Sequence, residues 1–78
     1  MSTQKLTNVS LSDFRKFLEK IGCKHVRTNG GHEIWEKEGL TRPLIIQTHV
    51  KPIPQFIIQS LLRDLGMTKE DYFETMKK

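Results

Sequence analysis

The sequence is poor in cysteine and lacks the usual motifs of metal and nucleotide sites. Its one cysteine, Cys23, has no second cysteine with which to form an internal disulfide. No CxxC pair or Cys/His zinc spacing occurs, and the three histidines are too scattered to predict a zinc site. Neither GxxxxGK nor GxGxxG is present. We therefore expect no metal and no cofactor.

Long apolar runs are also missing. The first ten residues, MSTQKLTNVS, are polar and contain no apolar stretch for export. No segment approaches the run of about 20 apolar residues that spans a membrane. A lone cysteine suits a reducing compartment. We therefore expect an intracellular, cytoplasmic protein with no membrane association.

The composition is that of one small globular domain. Of 78 residues, 36% are hydrophobic and 28% are charged, which predicts a single domain over 1–78 with its core at about 10–76 and a flexible segment at 1–8. A chain this short has no room for a deep cavity, so a site should be a surface groove or be completed by a partner. The net charge of +4 fits RNA, DNA or an acidic protein as partner, and ordinary solubility charge explains it equally well.

Hydrophobic periodicity predicts the order α-β-β-β-α with a short helical tail. Apolar residues at helical spacing predict a first helix over 10–21, capped by Ser10 or Ser12 and ended by Gly22. The remaining elements are strands at 23–28, 32–37 and 44–49, a turn at 29–31, and helices that begin near Pro54 and Thr68. A three-stranded antiparallel sheet needs cover on one face, which amphipathic helices provide. The predicted fold is an α+β two-layer sandwich with the helices on one face of the sheet.

The stretch TNGGHEIW places His32 directly after a glycine turn. Gly30 and Gly31 leave the backbone open to close approach by a ligand, although turn chemistry alone also explains them. A histidine titrates near neutrality, so beside a phosphate it can act as a general base or acid. On RNA it could take the proton from a 2′-hydroxyl, which then attacks the adjacent phosphorus. His25 and His49 are candidates for the complementary acid, and the alternative for any lone histidine is a surface or packing role.

Charged and aromatic residues leave further alternatives open. Four basic residues stand on or beside the predicted strands: Lys24, Arg27, Arg42 and Lys51. Three aromatic residues could stack on bases or simply pack in the core: Trp35, Phe56 and Tyr72. The carboxylates are dispersed and are expected on the solvated surface. Which face of the sheet is buried stays open, because Ile34 and Trp35 put one large apolar residue on each face.

Two longer stretches resemble a known family. IGCKHVRTNGGHEIWEKEG and LIIQTHVKPIPQFIIQSLLRDLGMTKEDYF resemble the HicA family of bacterial mRNA interferase toxins, and the resemblance runs over about residues 10–74. It rests on the order and spacing of a helix ending in glycine, a glycine turn followed by histidine, a strand ending near a second histidine, and a closing helix. The resemblance implies a fold similar to double-stranded RNA-binding domains, a ribonuclease that cleaves mRNA, and a HicB-like antitoxin that binds the toxin and blocks it.

The resemblance also assigns residues. The histidine that the family needs for activity falls on His32, and the turn glycines fall on Gly30 and Gly31. The second histidine of the family pattern falls on His49. The departures are Gly31, where many members have Ser, and the pair Gln47 and Thr48, which replaces Pro-Arg.

The resulting prediction is the toxin of a type II toxin–antitoxin system. It would be a metal-independent endoribonuclease with His32 as its essential histidine, and it would arrest growth when its HicB-like antitoxin is not bound to it in a hetero-oligomer. Four residues are predicted to contact RNA: Lys24, Arg27, His49 and Lys51. One alternative is a non-catalytic RNA-binding module with the same layers. Another is a small interaction protein whose basic charge serves an acidic partner.

Overall fold

The structure is a computed structural model that describes residues 9–48 and 53–77. Its elements are α1 Leu11–Lys20, β1 Lys24–Asn29, β2 His32–Glu36, β3 Leu44–Gln47, α2 Gln55–Asp64 and α3 Lys69–Lys77. The predicted α-β-β-β-α order with a helical tail is confirmed. In the described part of the chain, no helix is long and apolar enough to cross a membrane. The predicted flexible segment 1–8, His49 and Lys51 lie outside the described residues.

Helix α1 begins and ends at residues whose chemistry sets its limits. The Ser10 hydroxyl accepts a hydrogen bond from the Asp13 N–H at 3.0 Å, so Ser10 caps the helix. The buried face of α1 consists of Leu11, Phe14, Phe17 and Leu18. Gly22 has φ of +94°, which a residue with a Cβ rarely adopts. The chain therefore leaves α1 at the glycine that predicted its end.

The three strands form one antiparallel sheet in the order β1-β2-β3, with β2 in the centre. One face is buried, and it carries Glu33, Trp35, Leu44 and Ile46. The alternate positions of β2 and β3 lie on the opposite, open face, and His32 is exposed there. This settles which face holds the core, and it confirms a two-layer α+β fold in which the helices pack on the Trp35 side.

A single hydrophobic cluster joins the sheet to all three helices. Its largest fully buried side chains are Phe14, Phe17, Leu18, Ile46 and Ile58. Tyr72 of α3 packs on Phe17 with the ring centroids 4.8 Å apart, and Trp35 is also buried. Two of the three aromatics that could have stacked on bases are therefore core residues. The third, Phe56 of α2, is 69% exposed.

The last two helices begin at the predicted residues. Pro54 is the N-cap of α2. Before α3, the Thr68 hydroxyl accepts from the Asp71 N–H at 3.1 Å, and the Asp71 carboxylate accepts from the Thr68 N–H at 2.9 Å. This reciprocal pair satisfies two N–H groups that a helix start leaves open. The Thr68–Asp71 pair thus fixes the start of α3, the helix from which Tyr72 packs into the core.

Candidate functional site

The β1–β2 hairpin turns through two glycines. Asn29 and His32 are Cα partners, so the loop consists of Gly30 and Gly31. Gly30 has φ of +64°, the positive value that two-residue hairpin turns require at their first position. The prediction placed Asn29 inside the turn, but Asn29 is the last residue of β1. The turn thus delivers His32 as the first residue of β2.

Replacing Gly30 with alanine should destabilise the protein by about 1 kcal/mol, because an L-residue is strained at this positive φ. Apart from its chain neighbours, no heavy atom of the described residues lies within 4 Å of the position that a Cβ would take, so the cost should come from the backbone and not from a clash. Thermal unfolding of the purified variant measures it. An unchanged unfolding temperature would show that the loop does not hold this conformation in solution.

The end of β3 is fastened to the glycine loop. The Gly31 carbonyl accepts two hydrogen bonds from Thr48, one from its N–H at 2.7 Å and one from its hydroxyl at 3.1 Å. A carbonyl with two donors is held firmly in one orientation. In the sequence, Thr48 is only a departure from a family pattern, and no local signal there indicates this contact across the sheet.

His32 has Gln47 as its direct neighbour on the open face. The two residues are Cα partners, and Asn29 is the partner of His32 on β1. Because the Thr48 N–H bonds to Gly31, the next pair along the ladder, His32 with Gln47, is a non-hydrogen-bonded pair. Such pairs have Cα atoms about 4.5 Å apart, with their side chains close together. The end of the open face therefore presents an imidazole between two side-chain amides.

The basic residues of β1 lie at different distances from His32. Arg27 is the partner of Ile34, which puts it on the open face and diagonal to His32, at about 7–8 Å between backbone positions. Lys24 is the partner of Glu36, four residues along β2 and about 14 Å from His32. A guanidinium on a long side chain can reach a phosphate held at His32. The structure thus brings Arg27 to the histidine, and leaves Lys24 at the far end beside a carboxylate.

His25 lies on the opposite face of the sheet from His32. The register shifts between His25 and Arg27, which makes a β-bulge in β1. As a result His25 is the partner of buried Trp35, with ring centroids 5.4 Å apart. Its Nε2 also lies 3.0 Å from the Thr28 hydroxyl. The structure therefore does not bring His25 and His32 together as an acid–base pair.

A buried ion pair lies beneath the open face, one residue after His32. Glu33 is 5% exposed, and both of its carboxylate oxygens accept hydrogen bonds from Arg15 of α1. The Trp35 indole N–H also donates to Glu33, at 3.0 Å. These bonds, that from Arg15 above all, lower the pKa of the Glu33 carboxyl. The expectation that all carboxylates are solvated is wrong here, because an arginine on α1 supplies the partner that burial requires.

The Arg15–Glu33 pair fixes the register of β2. A slip of one residue would move Glu33 to the open face and His32 into the core. The same register of β2 therefore buries the Glu33 side chain on one face and exposes the His32 side chain on the other.

The described residues give little support to a reactive thiol or to a metal site. Cys23 is buried, and burial raises the pKa of its thiol, as expected of a small packing residue. Across residues 9–48 and 53–77, no group of three or more His, Cys, Asp or Glu side chains is placed to hold a metal ion.

Comparison with known protein families gives a match over most of the chain. The model of the HicA toxin of bacterial toxin–antitoxin systems matches residues 11–67. The chain belongs to the HicA toxin family. Comparisons with curated proteins and with solved structures gave no match.

Membership of the HicA family makes this chain the toxin of a toxin–antitoxin pair, with an antitoxin of the HicB type as its partner. The match runs from the first residue of α1 to the segment after α2, so it includes the whole sheet and His32. Helix α3 lies outside the matched range, and Tyr72 is its buried contribution to the core.

Of the two departures from the HicA pattern near the end of the sheet, Gln47 is the last residue of β3 and Thr48 directly follows it. Thr48 holds the glycine loop through its N–H and hydroxyl. Gln47 replaces a residue beside the candidate catalytic histidine, on the same open face. These two positions therefore supply no positive charge beside His32. The nearest positively charged residue in the β1–β2 register is Arg27.

Proposed function

We propose that this HicA toxin is a metal-independent endoribonuclease that cleaves mRNA in the cytoplasm, with His32 as its catalytic residue. The observation that carries the proposal is the placement of His32: exposed on the open face, at a tight glycine loop, with Arg27 diagonal to it. An open sheet face can accept an RNA strand, and a reaction at the RNA backbone does not need a deep pocket.

The proposed chemistry uses the RNA's own 2′-hydroxyl. The His32 imidazole takes the proton from this hydroxyl, the 2′-oxygen attacks the adjacent phosphorus, and the bond to the 5′-oxygen of the next nucleotide breaks. The products are a 2′,3′-cyclic phosphate and, once the leaving oxygen takes a proton, a 5′-hydroxyl. Arg27 offsets charge on the phosphate as the transition state forms. His49 and Lys51 remain proposals for the leaving-group acid and for phosphate binding.

The glycine loop has a supporting role in this proposal. Gly30 permits the sharp turn, and the absence of side chains on Gly30 and Gly31 keeps the approach to His32 unobstructed. Lys24 adds charge for a longer RNA strand along β1, at a distance from the reacting bond.

Replacing Arg27 with alanine should weaken RNA binding about tenfold at moderate salt, since one charge-assisted phosphate contact is lost. The slope of log affinity against log salt should fall by about 0.7 for a single strand. Filter binding or fluorescence anisotropy over a salt series measures both quantities. Lys16→Ala, an exposed cation on α1, is the matched control and should leave the slope unchanged. If both variants behave alike, Arg27 has no specific part in binding.

The alternative function is RNA binding without cleavage, which the exposed cations Lys24 and Arg27 on one strand would also support. Induced expression of the chain separates the two functions. The endoribonuclease should arrest growth and shorten transcripts, and co-expression of the antitoxin should restore both. Intact transcripts at full expression, with RNA bound to the purified protein, would reject the catalytic proposal in favour of the binding module.

A further inference from the structure

An apolar groove of about 220 Å³ lies between β3 and the start of α2. It is lined by Ile46, Gln47, Ile53, Pro54, Phe56 and Ile57. No residue of β2 lines it, so it lies along the outer side of β3. Among the described lining residues Gln47 alone is polar, and the mostly exposed ring of Phe56 stands in the wall of the groove. The exposed ring and the apolar groove beside it together form an apolar patch of the kind that marks a protein-interaction site.

The outer edge of β3 is ready to pair with another strand. β3 is the last strand of the sheet, and among the described residues no strand lies beyond it. The Thr48 N–H bonds inward to Gly31, so ladder alternation turns the N–H and C=O groups of Ile45 and Gln47 outward. The Ile45 side chain is itself 54% exposed. An edge whose backbone groups point outward beside an apolar groove suits an extended peptide that adds a strand.

We propose that this groove and edge form a docking surface for the antitoxin, which adds an extended segment along β3 and inserts an apolar side chain against Phe56. The family supplies a protein partner. Among the described residues, none that lines the groove is charged, so these residues offer nothing to the phosphates of an RNA strand. Outside the groove, the chain's net charge of +4 favours an acidic partner around this apolar anchor.

The docking surface also accounts for inhibition of the site. Gln47 lines the groove and is the Cα partner of His32. An antitoxin segment paired with β3 would therefore be separated from His32 on β2 by β3 alone. At that position it would block RNA from that end of the open face. The inference rests on the toxin–antitoxin pairing and not on the chemistry proposed at His32.

Calorimetric titration of the purified chain with its purified full-length cognate antitoxin tests the groove. Phe56→Glu should weaken binding at least tenfold, because a carboxylate would have to be buried in apolar surroundings. Gln59→Glu adds the same charge at an exposed position of α2 outside the groove and should change the affinity less than twofold. Both side chains are exposed, so both variants should keep the wild-type unfolding temperature.

The edge is tested by a second pair of variants. Ile45→Pro removes one outward N–H and should weaken antitoxin binding at least tenfold more than Ile45→Ala, which keeps the N–H. A proline here spares the hydrogen bonds to β2, since Ile45 directs its backbone groups away from it. If Ile45→Pro does not fold, Phe56→Glu alone decides the question.

Three results would overturn the proposal. The first is wild-type affinity of Phe56→Glu for the antitoxin. The second is loss of RNA binding in Phe56→Glu with antitoxin affinity intact, which would make the groove an RNA site. The third is self-association of the wild-type chain that Phe56→Glu abolishes, which would make a second copy the occupant. Each differs from failure of the proposed function, in which the chain binds antitoxin normally but leaves RNA intact.

Discussion

His32→Ala should lower the rate of RNA cleavage by about 10²–10⁴-fold, the usual contribution of one positioned acid–base group. The variant should keep its fold, because His32 is exposed on the open face and outside the hydrophobic cluster. It should also keep most of its affinity for RNA, since Arg27 and Lys24 remain. Single-turnover cleavage of a labelled RNA, circular dichroism and anisotropy measure the three properties separately.

His25→Ala is the matched control for this prediction. It removes another exposed histidine from the same hairpin, but on the other face of the sheet, against Trp35. We expect its cleavage rate to stay within a few-fold of wild type, with at most a small loss of stability. If the two alanine variants lose the same activity, the face assigned to the reaction is wrong.

Arg15→Met should cause the largest loss of stability among single surface-accessible changes, about 1–3 kcal/mol. The substitution leaves the buried Glu33 carboxylate without either of its bonds from Arg15, and only the Trp35 N–H remains. Arg15 is partly exposed, so water recovers some of the loss and the lower half of this range is the better expectation. Lys16→Met removes a neighbouring exposed charge from α1 and should cost much less. Urea unfolding of both variants provides the comparison.

The Arg15–Glu33 pair should also make the stability of the fold depend on pH. The Glu33 pKa is lowered in the folded state from its ordinary value of 4.5. The unfolded state therefore binds more protons in the window between the two pKa values, and the stabilisation is lost as pH falls through it. Arg15→Met should lose less stability than wild type as pH falls through this window, because its folded-state Glu33 pKa is lowered less and its two states differ less in proton binding. Parallel pH curves for the two proteins would show that the pair is not formed in solution.

Local chemistry made most of the fold predictable. Ser10, Gly22 and Thr68 have side chains or conformations that mark helix ends within a few residues, and the structure uses all three. The glycine turn was predictable for the same reason. Its exact register was not, because Asn29-Gly30 and Gly30-Gly31 are both good two-residue turns, and strand pairing decides between them.

The arrangement of the site depended on contacts that sequence spacing does not contain. The alternation of side chains along β2 did not show which face is buried, because each face carries one large apolar residue. Arg15, whose side chain pairs with buried Glu33, is 18 positions away in the sequence. The bulge between His25 and Arg27 has no marker such as glycine at its position, yet it sends one of these residues to each face. The exposed Phe56 likewise follows from the tertiary packing of α2 and could not be told from a core aromatic by its spacing.

The most direct test of His32 as the catalytic residue is the chemistry of the cut ends of a labelled RNA incubated with the purified toxin and a metal chelator. If His32 activates the 2′-hydroxyl, the wild-type protein will give products that end in a 2′,3′-cyclic phosphate, a DNA copy of the same sequence will stay intact, and His32→Ala will give no products. Cut ends that carry a 3′-hydroxyl, cleavage that stops with the chelator, or full cleavage by His32→Ala would contradict it.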